Sequence, residues 1–518
     1  MPRQIPVWRS NRRTEVRSHR RTGAWVWGRT VLLGLLLCVC ASVRLSAQSL
    51  QRRLDRRLDA APFSRNLWGI VVIDERGRTL YARNADRLFI PASNTKLIVS
   101  AVASALLPPD FTVKTSVYGT GPITNGVLEG DLVLYGRGDP TYGVRCYATD
   151  TLAPGVCDRD PFEKLKLLAE QLRARGVLVV RGDLVGDGSY FERTMVHSGW
   201  EGYDLNWWYA APVSGLGFND NSIDIAWGPG PMVNAPAAVA FTPDLGDVSL
   251  ENRTRTLPAD SSDNIDFFRT PGGLALWAEG TVGASSHGGT EYFAMPDPDL
   301  FTARALRKVL ADYGIAVLGT TRSTVDSTVY HLARSTAPAL AEVESRPLKD
   351  WVFPILNTSQ NWYAEMLLKQ LGRVFAGEGS WNKGIEVERR FLIDSVHVDS
   401  TQIAMTDGSG LAANNLISPL AFAQVIRFIT QHPRAATFTA GLPQAQQVGS
   451  LRNRFRGTAL EGRVHAKTGS ISRVNTITGY IDRPDGRRWT FSIQANHHTQ
   501  RGRDMLNQLD SLVVEIGR

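Results

Sequence analysis

Apolar and polar residues change their spacing several times along the chain, and each spacing predicts an element. Near the start, residues 68–74 and 79–83 are β-type runs separated by a turn at 75–77, which predicts a β-hairpin. After Pro91 the apolar residues recur with the spacing of one helix face: Leu97, Ile98, Ala101, Val102, Ala105 and Leu106. Ser93 is therefore expected at the start of a helix.

The middle of the chain has a different pattern from its two ends. Residues 110–345 carry short β-type runs between Gly, Pro and Asp, which predicts inserted, strand-rich material. Helical periodicity is found over three further stretches: 301–313, 351–391 and 419–431. The chain ends in a second hairpin, 474–481 and 489–494, followed by a helix over 501–516. Because both ends pair a hairpin with a helix, we expect them to build one α/β domain that the middle interrupts.

Composition and charge narrow the class of protein. Of the 518 residues, 43% are hydrophobic and 21% are charged, which is typical of a globular chain of about two to four domains. The net charge of +8 lies entirely in residues 1–47, which hold nine Arg and one acid. The rest of the chain balances 49 basic against 49 acidic residues. A nucleic-acid-binding domain needs a basic surface, so no nucleic-acid partner is expected.

The Arg-rich start of the chain is typical of a targeting segment. Residues 31–41 form an apolar run that is shorter than the roughly 20 residues needed to span a bilayer. This order predicts a secretory signal, with cleavage after Ala47 and a periplasmic protein as the result. Arg44 makes the cleavage site imperfect, so a retained N-terminal anchor with peripheral membrane association is the alternative.

Four cysteines and two neighbouring histidines raise the question of a disulfide or a metal site. Cys38 and Cys40 belong to the predicted signal, which leaves Cys146 and Cys157. An oxidising compartment permits a disulfide between these two, and two unconnected thiols are the alternative. His497 and His498 have no Cys or acid at ligand spacing, so we expect exposed strand-end residues and no metal.

Three short motifs carry the candidate chemistry. The first is the S-x-x-K tetrad from Ser93 to Lys96, whose two ends lie on one face of a helix. The S-x-N triplet from Ser359 to Asn361 and the K-T-G triplet that begins at Lys467 follow in that order. Together the three motifs form the signature of penicilloyl-serine enzymes.

The S-x-x-K and S-x-N motifs occur more than once, whereas K-T-G occurs once, so order and context decide between the copies. A second S-x-x-K begins at Ser380, but no S-x-N follows it. Further S-x-N triplets begin at Ser64, which precedes the nucleophile, and at Ser262, which lies in a polar run typical of a loop. One consistent set remains.

The residue types fit nucleophilic catalysis. A serine hydroxyl is a weak nucleophile that needs an adjacent base, and Lys96 can act as that base only when neutral. Burial and the neighbouring cation Lys467 would lower its pKa. Ser359 is placed to pass a proton to the leaving amine, and Asn361 to hold a substrate amide.

The K-T-G segment is expected to bind the substrate. Lys467 and Thr468 would bind an anionic group, and Gly469 lets an extended peptide approach closely. The backbone N–H groups of Ser93 and Ser470 would then form the oxyanion hole. An aromatic cluster, Trp207 to Tyr209, is interpreted as core in preference to a substrate wall.

The three motifs and several other segments resemble the class C low-molecular-mass penicillin-binding proteins, which are D-alanyl-D-alanine carboxypeptidase/endopeptidases. These segments follow the family's order: 136–140, 182–187, 189–191, 199–201, 209–214, 219–221, 345–348 and 407–411. The resemblance implies an α/β (α+β) catalytic domain, with an antiparallel sheet flanked by helices, and two nested strand-rich inserted domains.

The same resemblance implies domain boundaries. The catalytic domain would comprise 48–110 and 345–518. The second domain would comprise 111–140 and 217–344, and the third 141–216.

The resemblance also implies the reaction and further site residues. Ser93 would be acylated by peptidoglycan stem peptides or by β-lactams, without a cofactor, and Asp407, Ser409 and Gly410 would lie at the substrate. Ala412 and Ala413 replace the family's usual Ser-Arg, which puts recognition of a side-chain carboxylate in doubt. A secreted serine β-lactamase or esterase and a non-catalytic cell-wall scaffold are the alternatives. The balance of carboxypeptidase and endopeptidase activity and the oligomeric state stay open.

Overall fold

The strands and helices below come from a computed structural model that describes residues 50–143 and 160–518. The predicted signal segment, its cleavage site and both Cys146 and Cys157 lie outside these ranges, so the signal and the disulfide stay predictions. Within the described ranges, no helix has the length and apolar character that crossing a membrane requires.

Strands and helices alternate along the whole of the described chain. The strands are β1 (Leu67–Ile73), β2 (Thr79–Arg83), β3 (Lys114–Gly119), β4 (Ile123–Thr124), β5 (Val127–Leu128), β6 (Leu132–Tyr135), β7 (Val179–Val180), β8 (Leu184–Asp187), β9 (Ser222–Gly228), β10 (Ala238–Thr242), β11 (Ser249–Leu257), β12 (Asn264–Arg269), β13 (Ala275–Gly283), β14 (Gly289–Ala294), β15 (Ala316–Val317), β16 (Thr321–Thr324), β17 (Ala341–Glu344), β18 (Ile403–Ala404), β19 (Leu416–Ile417), β20 (Val464–Ile471), β21 (Val474–Asp482) and β22 (Arg488–Asn496). The helices are α1 (50–58), α2 (Lys96–Leu106), α3 (Glu163–Ala174), α4 (Pro298–Asp312), α5 (His331–Thr336), α6 (Lys349–Asn357), α7 (Asn361–Ala376), α8 (Trp381–Asp394), α9 (Pro419–Gln431), α10 (Ala435–Gly441) and α11 (Gly502–Gly517).

The two predicted hairpins join in one antiparallel sheet of five strands, ordered β2-β1-β22-β21-β20. β1 pairs with β22 along its whole length, from Leu67 opposite Asn496 to Ile73 opposite Thr490. The expectation that both ends of the chain build one domain is confirmed, as is the mixed fold with an antiparallel sheet and helices. β20, which carries the K-T-G motif, was not predicted as a strand and forms one edge of this sheet.

α2 lies at the centre of the helical layer. Its residues from Lys96 to Ala105 are all buried, against the helices α6, α7, α9 and α10. A helix that is covered on every side is held rigidly, because each of its faces packs against a neighbour. The first turn of α2 therefore gives the catalytic motif a fixed support.

The inserted part enters through β3 and leaves through β17, and these two strands are antiparallel neighbours. They belong to a five-stranded sheet of order β16-β8-β6-β3-β17. A four-stranded sheet (β15-β7-β5-β4) lies in the same part of the chain, and two three-stranded sheets (β10-β9-β14 and β11-β13-β12) are made only of strands from β9 to β14.

The strand pairing differs from the domain boundaries expected inside the insertion. β7 and β8 lie in the expected third domain, 141–216, but they pair in parallel with β5 and β6 before it and with β15 and β16 after it. The boundaries at 140/141 and 216/217 therefore do not coincide with a break between sheets. The sequence analysis did not predict α3. Parallel neighbours need a crossover connection, which a helix usually supplies, and α3 lies between β6 and β7 in the chain. The domain boundaries as a whole stay a prediction.

Candidate active site

Ser93 lies in a 3₁₀ turn (Ala92–Thr95) that leads directly into α2. The backbone of Ala92 has a φ of 48°, in the left-handed region that residues with side chains rarely occupy. Such strained residues cluster at functional sites, where the surrounding structure holds them in place. The turn presents the hydroxyl of Ser93 beside the amine of Lys96.

Lys96 makes three contacts that fix its amine. Its Nζ lies 2.9 Å from Ser93 Oγ, 2.7 Å from Asn361 Oδ1 and 2.8 Å from the carbonyl oxygen of Ser409. The side chain is fully buried. Burial lowers the pKa of Lys96 to about 7, against the opposing effect of the Asp407 and Glu365 carboxylates. A large share of this lysine is therefore uncharged near neutral pH.

The S-x-N motif lies at the start of α7. Ser359, whose φ of 67° is also left-handed, accepts a hydrogen bond of 2.8 Å from Lys467 Nζ at its Oγ. Asn361 donates from Nδ2 to the carbonyl oxygen of Tyr209 over 2.7 Å. Gln360 turns away from the site and donates to buried Asp220 over 2.8 Å. The middle position of the motif thus supports the helix start and does not face the substrate.

The K-T-G motif lies on β20, at the open edge of the sheet. Lys467 is fully buried, and burial together with the charge of Lys96 holds its pKa well below the usual value. A Cβ on Gly469 would lie 2.8 Å from the carbonyl oxygen of Pro91 and 2.9 Å from the backbone nitrogen of Ser93. Only glycine allows the strand to come this close. The structure therefore brings all three motifs together around Ser93.

The loop 407–411 reaches the site in a different way from that expected. Asp407 is fully buried, and its carboxylate accepts hydrogen bonds of 2.8 Å from the backbone of Gly410 and of Ala412. The Asp407 oxygens are occupied in shaping the loop, which favours a supporting role, and its assignment as a substrate-binding residue stays a prediction. Ser409 contributes its carbonyl oxygen to Lys96, and Gly410 lies so close that a Cβ would be 1.9 Å from the carbonyl oxygen of Ala92.

Comparison with known proteins assigns the chain to a family. The model of the D-Ala-D-Ala carboxypeptidase 3 (S13) family matches residues 50–516. The chain belongs to this family. It is 30% identical to the D-alanyl-D-alanine carboxypeptidase of Actinomadura sp. over 480 residues, which cover 90% of this chain and 84% of the relative. The resemblance inferred from the motifs is confirmed, and the chain is a serine hydrolase.

Two further comparisons agree with this peptidase family. The penicillin-sensitive carboxypeptidase A of Dictyostelium discoideum is 24% identical over 478 residues, which cover 86% of each chain. The crystal structure of penicillin binding protein 4 from Haemophilus influenzae has a TM-score of 0.72 at 19% identity and covers 89% of this chain and 97% of that one. The second comparison shows that the fold is shared.

Glu365 is a residue of this D-Ala-D-Ala carboxypeptidase site that sequence reasoning missed. It is fully buried and accepts hydrogen bonds from the backbone of Gly408 over 3.0 Å and of Ser409 over 2.7 Å. Burial, followed by the Asp407 charge, raises the pKa of Glu365 to about 7. The available signal was a carboxylate one helical turn after Asn361, on the same face of an otherwise apolar helix.

The packing tests the prediction that His497 and His498 are exposed residues at the end of a strand. His498 is only 5% exposed, and its Nε2 lies 2.8 Å from Asn475 Oδ1, so the expectation of an exposed residue is wrong for His498 and correct for His497. Asn475 in turn donates to Ser470 Oγ over 2.7 Å. A buried imidazole thus supports the strand position next to the K-T-G motif.

The aromatic cluster and the two alanines complete the inventory of expected residues. Trp207 packs on Phe293, with ring centres 4.8 Å apart, and Tyr209 reaches the site through its carbonyl oxygen. Ala412 is buried and Ala413 is exposed. Because alanine carries no charge, neither position supplies a cation to the substrate.

Proposed function

We propose that this protein is an exported serine D-Ala-D-Ala carboxypeptidase and DD-endopeptidase that acts on peptidoglycan stem peptides through an acyl-enzyme at Ser93. The observation that carries the proposal is the set of three partners around Lys96 Nζ. Asn361 Oδ1 and the Ser409 carbonyl can only accept hydrogen bonds, so they take the two N–H groups of a neutral amine. The lone pair of Lys96 then faces the Ser93 hydroxyl, the one partner that can donate.

The reaction follows from this arrangement. Lys96 takes the proton of Ser93 as Oγ attacks the carbonyl carbon of the penultimate D-Ala residue. The backbone N–H groups of Ser93 and Ser470 stabilise the oxyanion that forms. Ser359, held by Lys467, relays the proton that Lys96 has taken to the departing amine, so that Lys96 is neutral again and Ser359 keeps a hydroxyl. Water then hydrolyses the ester and regenerates Ser93.

The open edge of β20 fits an extended peptide as substrate. Segment 443–445 pairs with the start of this edge, at Val464 and Ala466, so a peptide can pair as an additional strand along the part that begins at Lys467. Carboxypeptidase and endopeptidase reactions share the acyl half of such a substrate. They differ in the leaving amine, which is free D-Ala in one case and a cross-linked peptide in the other.

β-Lactams are proposed as a second class of ligand, because they present an amide carbonyl to the same serine. Two relatives support this by name: one is a penicillin-sensitive carboxypeptidase, and the other is a penicillin binding protein that has been crystallised with a β-lactam. The ring of a β-lactam keeps its leaving amine tethered, so the acyl-enzyme would persist.

Labelling with a fluorescent penicillin tests the proposal. A stable adduct located on Ser93 by mass spectrometry supports the peptidase. Rapid turnover of the label would identify a β-lactamase, and a protein that takes no label would be a scaffold. Ser93→Ala should lose the label. Ser380→Ala is the matched control, since Ser380 heads the second S-x-x-K tetrad but caps α8 outside the site.

Digestion of defined muropeptides, followed by mass, tests the substrate class and measures the two activities separately. Release of D-Ala from an uncross-linked pentapeptide reports the carboxypeptidase. Cleavage of a cross-linked dimer reports the endopeptidase. If a protein that penicillin labels forms neither of these products, peptidoglycan is excluded as its substrate.

Export to the periplasm is proposed from the Arg-rich start and the apolar run of residues 31–41. The expected mature chain begins at Gln48. Mass spectrometry of the protein purified from the producing cells tests this. A chain that still carries residues 1–47 and sediments with membranes would show a retained anchor.

A further inference from the structure

A cleft of 750 Å³ lies away from Ser93, between the end of α7 and the inserted sheets. Its walls come from the catalytic helices on one side and from β6, α5 and the segments after β8 and β16 on the other. Six side chains define its chemistry: Tyr135, Tyr190, Arg193, His331, Arg334 and Arg373. None of them belongs to the motifs around Ser93.

Three arginines line the cleft, and two of them form no ion pair in the described part of the chain. Arg334 forms an ion pair with buried Asp187. Exposed Arg373 instead donates to a neutral acceptor, the carbonyl oxygen of Gly377, over 2.9 Å. Arg193 is also exposed, and neither it nor Arg373 forms an ion pair within the part of the chain that the structure describes. Two guanidinium groups are thus available for an anion.

Two acids, Glu192 and Glu378, also line the cleft. Glu192 already accepts a hydrogen bond from the backbone of Trp381 over 2.8 Å and forms an ion pair with Lys369 over 3.2 Å. Glu378 is exposed at the rim. The pKa of Asp326 is lowered by hydrogen bonds from Thr328, one of them from the backbone over 2.9 Å, and by the charge of Arg193.

Aromatic rings lie beside the guanidinium groups. The rings of Tyr135 and Tyr190 meet edge to face with centres 6.3 Å apart. The Arg373 guanidinium lies 4.8 Å from the centre of the Tyr190 ring. A wall that combines aromatic rings with planar donors suits a ligand that carries both a ring with apolar faces and a carboxylate, because guanidinium binds carboxylate in bidentate fashion.

The cleft is too far from Ser93 for one small ligand to occupy both places. Arg373 follows Asn361 by twelve positions on α7, which corresponds to about 18 Å along the helix axis. A ligand in the cleft therefore leaves the acylated serine untouched, and the two sites can be measured independently.

We propose that this cleft is a second binding site for acidic muramyl peptides, with a ligand carboxylate on Arg193 and Arg373 and a sugar ring against Tyr190. The identity of the ligand rests on the proposed function, since muramyl peptides are the part of peptidoglycan that carries sugar and carboxylate together. The site would hold the enzyme on its polymeric substrate while Ser93 reacts elsewhere on it.

Calorimetric titration of the penicillin-acylated protein with a muramyl tripeptide that lacks D-alanine tests the proposal, because Ser93 is blocked and the probe is no substrate. We expect saturable binding, and at least a tenfold loss of affinity in the double variant Arg193→Gln, Arg373→Gln. Arg373→Lys, which keeps the charge, should lose less. Arg390→Gln is the matched control: Arg390 is 68% exposed on α8 and, among the residues that the structure describes, pairs with Glu386 alone. Acylation of every variant by penicillin at the normal rate shows that the fold is retained.

Several results would overturn the proposal. One is that the acylated wild-type protein does not bind the probe, and another is that the double variant binds it as tightly as wild type does. A third is that a neutral disaccharide binds as tightly as the probe, which would remove the role of the carboxylate. Equal binding of inorganic phosphate or of anionic lipid vesicles would show a general anion site instead. Failure of penicillin to label Ser93 would count against the proposed function itself. Titration of the unlabelled protein would then still decide whether the cleft binds the probe.

Discussion

At the scale of single residues, Lys96 connects the chemistry to pH. Its pKa is lowered to about 7 by burial, and only its neutral form can take the proton of Ser93. Below that pKa the amine is protonated, so acylation should rise about tenfold per pH unit up to pH 7 and then level off. The second-order rate of labelling by a fluorescent penicillin, measured between pH 5.5 and 9, checks this. A flat profile, or a rate that falls between pH 6 and 8, would contradict the role of Lys96 as base.

Exchanging Lys96 for arginine separates charge from basicity. Lys96→Arg keeps a cation in place but removes the group that can be neutral, so we expect acylation to fall by at least a thousandfold. Lys383→Arg is the matched control, because Lys383 ends the second S-x-x-K tetrad and pairs on the surface with Glu386. Penicillin labelling of Lys96→Arg at more than a tenth of the normal rate would refute the assignment.

Glu365 is a positioning residue, since its carboxylate holds the loop whose carbonyl oxygen contacts Lys96. Glu365→Gln replaces one acceptor by a donor beside the backbone N–H groups of Gly408 and Ser409, which should cost about 1–3 kcal/mol of stability. Where Glu365 is ionised, above its own pKa of about 7, the variant also removes a negative charge that raises the pKa of Lys96. The midpoint of the pH profile of acylation should therefore move to lower pH. A midpoint that stays in place or moves upward would show that Glu365 has only a structural role.

At the scale of elements, the close approach of β20 to the 3₁₀ turn before α2 decides how the oxyanion hole forms. Gly469→Ala places a methyl group 2.4 Å from Thr476 Oγ1 and 2.9 Å from the Ser93 nitrogen, so the strand must move outward. We expect acylation to fall about a hundredfold, the usual effect of a displacement near 1 Å in an active site. The control is Gly228→Ala at the end of β9, where nothing lies within 4 Å of the added carbon. An unchanged labelling rate for Gly469→Ala would exclude the crowding argument.

The sequence predicts some elements of this fold well and misses others for physical reasons. The hairpins and α2 follow from local apolar spacing. β20 does not, because Lys467 and Ser470 occupy it for the site and interrupt any apolar pattern. β7 and β8 pair in parallel with strands 52 positions before them and 137 positions after them, and no local pattern encodes such distant pairing.

The same distinction applies to the site. Order and spacing of the three motifs identify Ser93, Lys96 and Lys467 because these act through their side chains. The contributions of Ser409 and Tyr209 are made by backbone carbonyl oxygens, which leave no mark in the residue type. The role of Asp407 is likewise not decided by its residue type, since an acid in a glycine-rich turn suits both a ligand and a loop support.

At the scale of the whole molecule, the beginning and the end of the catalytic domain are joined at Glu515 on α11. Its carboxylate is 5% exposed and lies within 3.3 Å of Arg53, 2.9 Å of Arg57 and 3.2 Å of Arg518. Burial alone would raise the pKa of Glu515, but the hydrogen bond from Arg57 and the charges of Arg518, Arg57 and Arg53 offset it and hold the pKa below its usual 4.5.

Glu515→Gln should therefore destabilise the fold at neutral pH, by about 1 kcal/mol because the arginines are partly exposed. A depressed carboxyl pKa contributes stability above the unfolded value of 4.5, and the contribution is lost as the pH falls through the folded pKa. Denaturant unfolding of wild type and variant at pH 7 and at pH 3.5 checks both parts. A difference that is as large at the acid pH would contradict the electrostatic origin.

The entry and exit of the inserted part through neighbouring strands has a consequence for ancestry. Lys114 opens β3 opposite Glu344, the last residue of β17, and partners in an antiparallel pair have Cα atoms only about 5 Å apart. A segment whose two ends lie side by side can be gained or lost in one genetic event, since the host chain closes over the gap with a short turn. A short turn between Lys114 and Glu344 could thus replace the inserted part without changing the strand order β2-β1-β22-β21-β20 of the catalytic sheet.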